Sequence, residues 1–528
     1  LSTRAKSMVD NYGQNNVIFI GPDIWNGAKS PWFIEDNNLL KDWKKHASET
    51  TGLQTRVGRW DVPGSPIVIL VKFNHLYAQK DAIYASMWEK FNVESLHAYG
   101  DYDESCMFAY ASGMVIESYY SFFDLSNENV VAHFNECTVG MGALYIKDKL
   151  PHIATLFTTH ATTVGRSIAG NNKPLYSHLY AYNGDQMSQE LNVEAKHSVE
   201  KRAAQEVDCF TTVSDITATE CSQLLNRTPF ITPNGFEQDF VPKGKKYEQK
   251  RKDARKMLIN VAAKLYGKEL SDDVLLVGTS GRYEYRNKGI DVFIDALAKL
   301  NQRDDLEKEI IAFIMVPAWI KEARIDLIER LKSDKIEDHN LPYPSITHWL
   351  HEMGRDSVLN QSIFLGLDNP ANNVKLVFIP SYLNGDDGIF NISYYDLLIG
   401  LDTTVFPSYY EPWGYTPHES MAFSVPTITT YLAGFGVWAS RMDSNRGMDD
   451  AIEVIHRDDY NFNEVSEKIA EMLTQVSSMS KKEMQAIRKL ASEKSKLGDW
   501  FHFFRNYQEA YSLALEMRDI RIKNKLKK

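Results

Sequence analysis

Two acids, Glu411 and Glu419, stand close together in the stretch YYEPWGYTPHESMAF (409–423). A Trp-Gly, a Thr-Pro and several aromatic rings surround them. A purely structural account is available for each. Thr416-Pro417-His418-Glu419 fits a capping box, with Thr416 as N-cap, Pro417 at the first helical position and Glu419 at the third. Glu411 precedes a proline, so its backbone is biased away from helix, and it reads equally as a plain loop acid. The chemical account differs. The run TTVFPS before it is strand-like, and a helix starting near Pro417 would offer the N–H groups of Tyr415 and Thr416 to a phosphate. Carboxylates repel phosphate, so Glu411 and Glu419 suit neutral hydroxyls on either side of it. A nucleotide sugar has that composition, with ribose at one end, a diphosphate in the middle and a hexose at the other.

A second loop carries cations. VLLVGTSGRYEYRNKGIDVFIDALAKL reads as strand, loop, helix, with Arg282 and Lys288 in the loop. Placed at a strand's carboxyl end before a helix N-terminus, they suit a diphosphate. The plain alternative is a basic, solvated loop. A third group lies in the first half of the chain. IATLFTTHATTVGRSIAG places His160 and Arg166 just past a strand, and HFNECTVGMG places Glu136 past another. TPNGF supplies Asn234 beside Gly235, which also reads as an ordinary turn.

Such loops need strand ends to carry them. Apolar runs at 16–21, 67–73, 130–134, 153–159 and 209–214 alternate with helical patterns, which predicts a parallel α/β sheet. The pattern pauses at RTPFITPNGFEQDFVPKGKK (227–246), the natural domain crossing. It resumes at 274–279, 310–316, 374–380 and 404–407, with a long polar insertion at about 318–372. The predicted fold class is α/β, with two doubly wound domains facing a cleft and ligands off the carboxyl ends of the strands.

The whole chain constrains the partner. It has 528 residues, 43% hydrophobic and 24% charged, and a formal net charge of −11. That length calls for more than one core. The acidic balance, without a basic stripe, disfavours nucleic acid. No apolar run approaches the ~20 residues of a membrane span. The four cysteines, Cys106, Cys137, Cys209 and Cys221, form no CxxC pair, as expected of reduced thiols in a cytoplasm. Walker A, HExxH, GxSxG and complete GxGxxG motifs are absent.

GRYEYRNKG, TTHATTVGR, HFNECTVG, FTTVSDIT, PNG and PSYYEPWGYTPHES occur together here. In that set the chain resembles the glycogen synthases of glycosyltransferase family 3, eukaryotic type, along nearly its whole length. The EPWGYTP loop is the most specific part. The resemblance implies a GT-B fold built from two Rossmann-like domains. It implies a retaining, metal-free transfer of glucose from UDP-glucose to the 4-hydroxyl at the non-reducing end of an α-1,4-glucan such as glycogen. It also implies that Arg282 and Lys288 hold the diphosphate, that Glu411 lies beside the transferred glucose and that Glu419 binds ribose. His160, Arg166, Glu136 and Asn234 would line the sugar side, and Gly414, Tyr415 and Thr416 the donor side. Tyr394, in NISYYDLL, matches the residue that stacks on uracil, with Tyr395 the alternative. Retention is explained in that family by attack on the face from which UDP departs, which makes Glu411 a stabiliser rather than a nucleophile. No cofactor, metal, membrane or nucleic acid is expected; a cytoplasmic homo-oligomer is.

The expected domains are 1–236, acceptor side, lacking the family's first strand and Lys-Val-Gly-Gly loop; 237–480, nucleotide-sugar side, with a helical insertion; and 481–528, a helical segment returning to the first domain. The family's His-Glu-Trp stands here as Asn135-Glu136-Cys137. Its arginine-rich helix, which binds glucose-6-phosphate, is matched by SKKEMQAIRKLASEKSKLGDW, with Arg488 as its one arginine. Lysine is a poorer bidentate clamp, so regulation by that ligand is not expected, and Ile487, Leu490 and Leu497 are expected to pack this helix on the body. Two rival readings share the motifs: a starch-synthase-like enzyme using ADP-glucose, and a catalytically inactive glucan-binding scaffold.

Overall fold

The computed structural model describes residues 2–25, 30, 32–442 and 447–526. The chain divides into two units, Leu1–Glu237 with Asp499–Lys528, and Gln238–Gly498.

Among the described residues of the first unit, eight strands form two sheets. They are β1 (Ile18–Pro22), β2 (Phe33–Glu35), β3 (Gln54–Trp60), β4 (Ile67–Lys72), β5 (Val131–Asn135), β6 (Ala154–Thr158), β7 (Cys209–Thr212) and β8 (Phe230–Ile231). The second sheet, ordered β5-β6-β7-β8, is parallel throughout. Every residue of β6 and β7 is buried, as continuous apolar or threonine-rich runs covered on both faces should be. The first sheet, ordered β1-β4-β3-β2, departs from the expected parallel alternation. There β1 pairs parallel with β4, but β2, β3 and β4 run antiparallel. The turn at Val62-Pro63-Gly64-Ser65 between β3 and β4 is too short for a crossover, so those strands must form a hairpin; Trp60 N–H donates to the Pro66 carbonyl at 3.0 Å.

The second unit holds a six-stranded parallel sheet in the order β13-β10-β9-β14-β15-β16. Its strands are β9 (Leu275–Ser280), β10 (Ile310–Met315), β13 (Val374–Ile379), β14 (Thr403–Val405), β15 (Thr427–Thr430) and β16 (Ile452–Ile455). The order reverses between β9 and β14, so the loops after those two strands leave the sheet side by side at the topological switch point. The insertion at 318–372 is not simply helical. It pairs β11 (Ile320–Ala323) antiparallel with β12 (His348–Leu350) and adds helices Ile325–Leu331 and Ser357–Phe364.

The segment 481–528 splits rather than travelling as one piece. Helix Lys481–Ser495, opened by a Ser480/Glu483 capping box, belongs to the second unit. A 3₁₀ turn, Lys496–Gly498, ends it, and helix Trp500–Leu526 belongs to the first unit. There Trp500, Phe504, Tyr507, Ala510, Tyr511 and Ala514 close a core with Ala154, Leu156 and Cys209. The 3₁₀ turn breaks the helical register, so Leu497 is exposed while Ile487 is buried and Leu490 half-buried. Among the described residues no helix is long and apolar enough to cross a membrane.

Candidate functional site

The residues of the second unit expected on the donor side are assembled by the switch point. The loop after β9 carries Arg282 and Lys288, and the loop after β14 carries Glu411. The carbonyl of buried Asn287 accepts the N–H groups of both Tyr409 and Tyr410, at 2.9 and 3.0 Å, and this ties the loops together. Lys288 Nζ then donates to Glu411 Oε2, with both side chains largely withdrawn from water. Arg282 is different. Its side chain is 65% exposed, with Nε 3.5 Å from Glu284 Oε1. Two tyrosines anchor the same loop to the insertion: Tyr283 donates to Asp356 at 2.7 Å, and Tyr285 donates to Gln361.

Beyond Glu411 the chain makes a left-handed turn at Gly414 (φ 100°), which is the N-cap of helix Tyr415–Ala422. A Cβ there would sit a tight 3.3 Å from both Glu411 Cγ and Pro417 Cγ, and the positive φ itself favours glycine. This replaces the capping-box account. The helix begins at Tyr415, one residue before Thr416, and no side chain caps it. Tyr415 and Thr416 thus form its first turn. Glu419 Oε1 accepts instead from the Tyr395 hydroxyl at 2.8 Å. Burial pushes the Glu419 carboxyl up to about 7, with the Tyr395 hydrogen bond pulling it back. Tyr395 also stacks on Phe423, centroids 4.9 Å apart. Tyr394 spends its hydroxyl on Ser280 at the end of β9, 2.6 Å away.

The first unit brings together a second group. Glu136 follows β5 with φ 78° and ψ 153°, a region that costs a non-glycine residue about 1–3 kcal/mol. Its N–H donates to the Thr158 carbonyl at 2.9 Å. That places Oε1 of Glu136 3.0 Å from Nδ1 of half-buried His160, an ion-pair distance outside hydrogen-bond geometry. Arg166 lies one turn into helix Thr163–Gly170. Asn234 is buried next to the return of the C-terminal helix, where Trp500 N–H donates to the Phe236 carbonyl at 3.2 Å. The site residues therefore fall into two groups, one on each unit.

Sequence reasoning passed over Asn287, Tyr283, Tyr285 and Ser280, and gave Tyr395 only as an alternative to Tyr394. It also missed two buried acids, Glu200 and Glu220, beneath the His160 loop. Their one legible signal was the density of threonines in TTHATT, since hydroxyls in such numbers require acceptors.

The glycogen synthase family model matches residues 1–339 and 335–522 of this chain. The glycogen [starch] synthase of Neurospora crassa is 28% identical over 98% of this chain and 81% of its own length. The human liver glycogen [starch] synthase is 26% identical over 98% and 80%. Among solved structures, the α,α-trehalose 6-phosphate synthase of Burkholderia multivorans has a TM-score of 0.51 at 10% identity, covering 97% of this chain and 98% of that one. The catalytic domain of starch synthase IV from Arabidopsis thaliana, bound to ADP and acarbose, has a TM-score of 0.50 at 12% identity, covering 94% and 99%. At such identities these structures establish a shared fold, GT-B, and not a shared substrate. With a family model matching almost from end to end and the motif loops gathered at the strand ends, the chain belongs to the glycogen synthase family of glycosyltransferases.

Proposed function

We propose that this protein transfers glucose from UDP-glucose to the 4-hydroxyl at the non-reducing end of an α-1,4-glucan, with retention and without a metal. The observation that carries the reading is the Lys288–Glu411 pair at the β9/β14 switch point, on a loop that also carries Arg282. In the reaction the bond from the glucose anomeric carbon to the diphosphate breaks. A bond to the acceptor 4-oxygen forms on the same face, and the hydroxyl proton passes to the departing phosphate oxygen. Negative charge grows on the diphosphate as it leaves, and preorganised cations are most useful where charge develops. Arg282 and Lys288 fill that role.

Glu411 is held by an ammonium group, which makes it a poor nucleophile and a good acceptor for glucose hydroxyls. Glu419 takes ribose hydroxyls in its ionised form. Tyr394 stacks on the base, since the ring of Tyr395 is already stacked on Phe423. On the first unit His160, Arg166, Glu136 and Asn234 serve the sugar and acceptor. A cytoplasmic, homo-oligomeric enzyme fits this reading.

The test is a competition between UDP-glucose and ADP-glucose on glycogen, with EDTA present and the product linkage read by NMR. Transfer from UDP-glucose into α-1,4 linkages is expected. Preference for ADP-glucose, loss of activity with EDTA restored by magnesium, or a β-linked product would each overturn the corresponding part. No transfer from either donor would favour a glucan-binding scaffold.

A further inference from the structure

Two carboxylates lie directly beneath the loop that carries His160, and the transfer chemistry above does not use them. Glu200, on helix Glu194–Glu206, is 0% exposed, and Glu220, on helix Asp215–Leu224, is 2% exposed. Burying an acid is costly unless its oxygens are satisfied. Here the donors come from one short stretch, 159–163. Glu200 accepts the Thr159 hydroxyl on one oxygen and the Thr163 N–H, at 2.9 Å, on the other. Glu220 accepts both the hydroxyl and the N–H of Thr162, the latter at 3.2 Å. A Cβ on Gly165 would fall 2.2 Å from Glu220 Oε1, so the backbone rests on the carboxylate itself.

These bonds exceed what helix capping demands. The Thr162 hydroxyl already caps helix Thr163–Gly170 by accepting from Gly165 N–H at 2.9 Å. An apolar floor of equal volume is often as stable as a buried polar one. What the two acids add is location. Thr159 precedes His160 and Thr162 follows it by two residues, so the histidine backbone is pinned on both sides. The third constraint on the ring is Glu136, 3.0 Å from Nδ1. A reacting group displaced by ~1 Å loses up to about a hundredfold in rate, which gives such pinning a catalytic value.

We propose that Glu200 and Glu220 are positioning residues of glucosyl transfer, fixing the backbone on both sides of His160 so that its ring is presented in one orientation. The proposal rests on the functional reading above. Its test is a double-mutant cycle of Glu200→Gln and Glu220→Gln with His160→Ala, scored on glucose transfer to glycogen. Each Gln variant is expected to lower kcat about tenfold or more, with donor KM within about twofold. In the His160→Ala background it is expected to change nothing further. An equal loss in both backgrounds, or a loss matched by a lowered melting temperature, would mean that the acids only support the fold.

Should a Gln variant fail to fold, Glu200→Asp enters the same cycle, keeping the carboxyl and withdrawing it by one methylene. A readout free of activity accompanies it: the ring resonances of His160 in ¹³C-histidine-labelled protein. These should move in the Glu200 variant, and unmoved resonances would overturn the positioning role. Absence of transfer by the unaltered protein would instead overturn the functional reading, leaving the resonance measurement to decide this one.

Discussion

The ammonium of Lys288 and the carboxylate of Glu411, far apart in the chain, form an ion pair of which each side chain is little more than one-tenth exposed. Removing one member strands the other in a site poor in water. Arg282, on the same loop, has no such debt, because most of its side chain is in solvent. The two cations expected to serve one diphosphate thus differ in what the fold owes them.

Lys288→Ala should therefore lose both rate and stability. We expect kcat to fall about 10²–10³-fold, and the unfolding free energy to fall by up to about 3 kcal/mol. Arg282→Ala should lose a similar factor in kcat with an unchanged melting temperature. Melting curves and steady-state kinetics on both variants separate the cases. Equal stability losses would show that the pair carries no special burden.

Donor binding should depend on pH through Glu419. Its carboxyl is pushed by burial from 4.5 to about 7, so the anion, which we propose accepts ribose hydroxyls, forms as pH rises through about 7. KM for UDP-glucose is expected to fall over that range. Tyr395→Phe removes a hydrogen bond that favours the anion, so the transition should move to higher pH. A transition that stays in place would detach the tyrosine from the titration.

The same shift makes a stability statement of defined sign. A carboxyl whose folded value lies above its unfolded one binds its proton more tightly when folded. Its contribution is full below about 4.5 and is lost as pH rises to about 7. Glu200, also pushed up to about 7 by burial, acts in the same direction. Glu419→Gln should flatten part of that decline in chemical denaturation between those pH values, and an unaltered slope would count against it.

Glu136 occupies a backbone conformation that suits glycine. Glu136→Gly should relieve the strain and leave stability unchanged or raised by about 1 kcal/mol, while transfer falls because the acid facing His160 is gone. Denaturant titration beside an activity assay checks both. A destabilised variant would mean that the side chain's contacts outweigh the strain.

Glucose-6-phosphate should activate little. Arg488, the arginine of helix Lys481–Ser495, is buried and donates to the Leu401 carbonyl at 3.1 Å and to the Tyr247 hydroxyl. Lys494 is buried against Asp450. The remaining Lys481, Lys482, Lys489 and Lys496 are exposed and spread from the first turn of the helix to just past its last. Activity at sub-saturating UDP-glucose, with and without millimolar glucose-6-phosphate, decides it. Stimulation beyond about fivefold would reveal a coupling these side chains are not expected to supply.

What the sequence determined by itself is everything that is local. Apolar runs placed β1, β4–β7, β9, β10, β13 and β14; of these β6, β7, β9, β10, β13 and β14 are buried along their whole length, as parallel strands covered on both faces are. Contiguous motifs such as EPWGYTP and GRYEYRNKG could be read as family marks and assigned to strand ends without knowing which strands adjoin. The hairpin of β3 and β4 was also written locally, in Pro63-Gly64, and was overlooked.

Tertiary structure alone decided the pairings across long stretches of chain. Lys288 meets Glu411 because β9 and β14 are neighbours at the point where strand order reverses, and periodicity carries no information on strand order. Tyr395 rather than a backbone N–H claims Glu419, because the helix starts two residues earlier than its Thr-Pro suggests. Arg488 is structural because its face of the helix is the buried one. The chain returns to the first unit at Asp499, not at 481, because the 3₁₀ turn at Lys496–Gly498 ends one helix's packing and Trp500 begins another's. Glu200 and Glu220 lie in helices that bury polar and apolar residues together, and only the folded chain shows which loop supplies the donors that satisfy them.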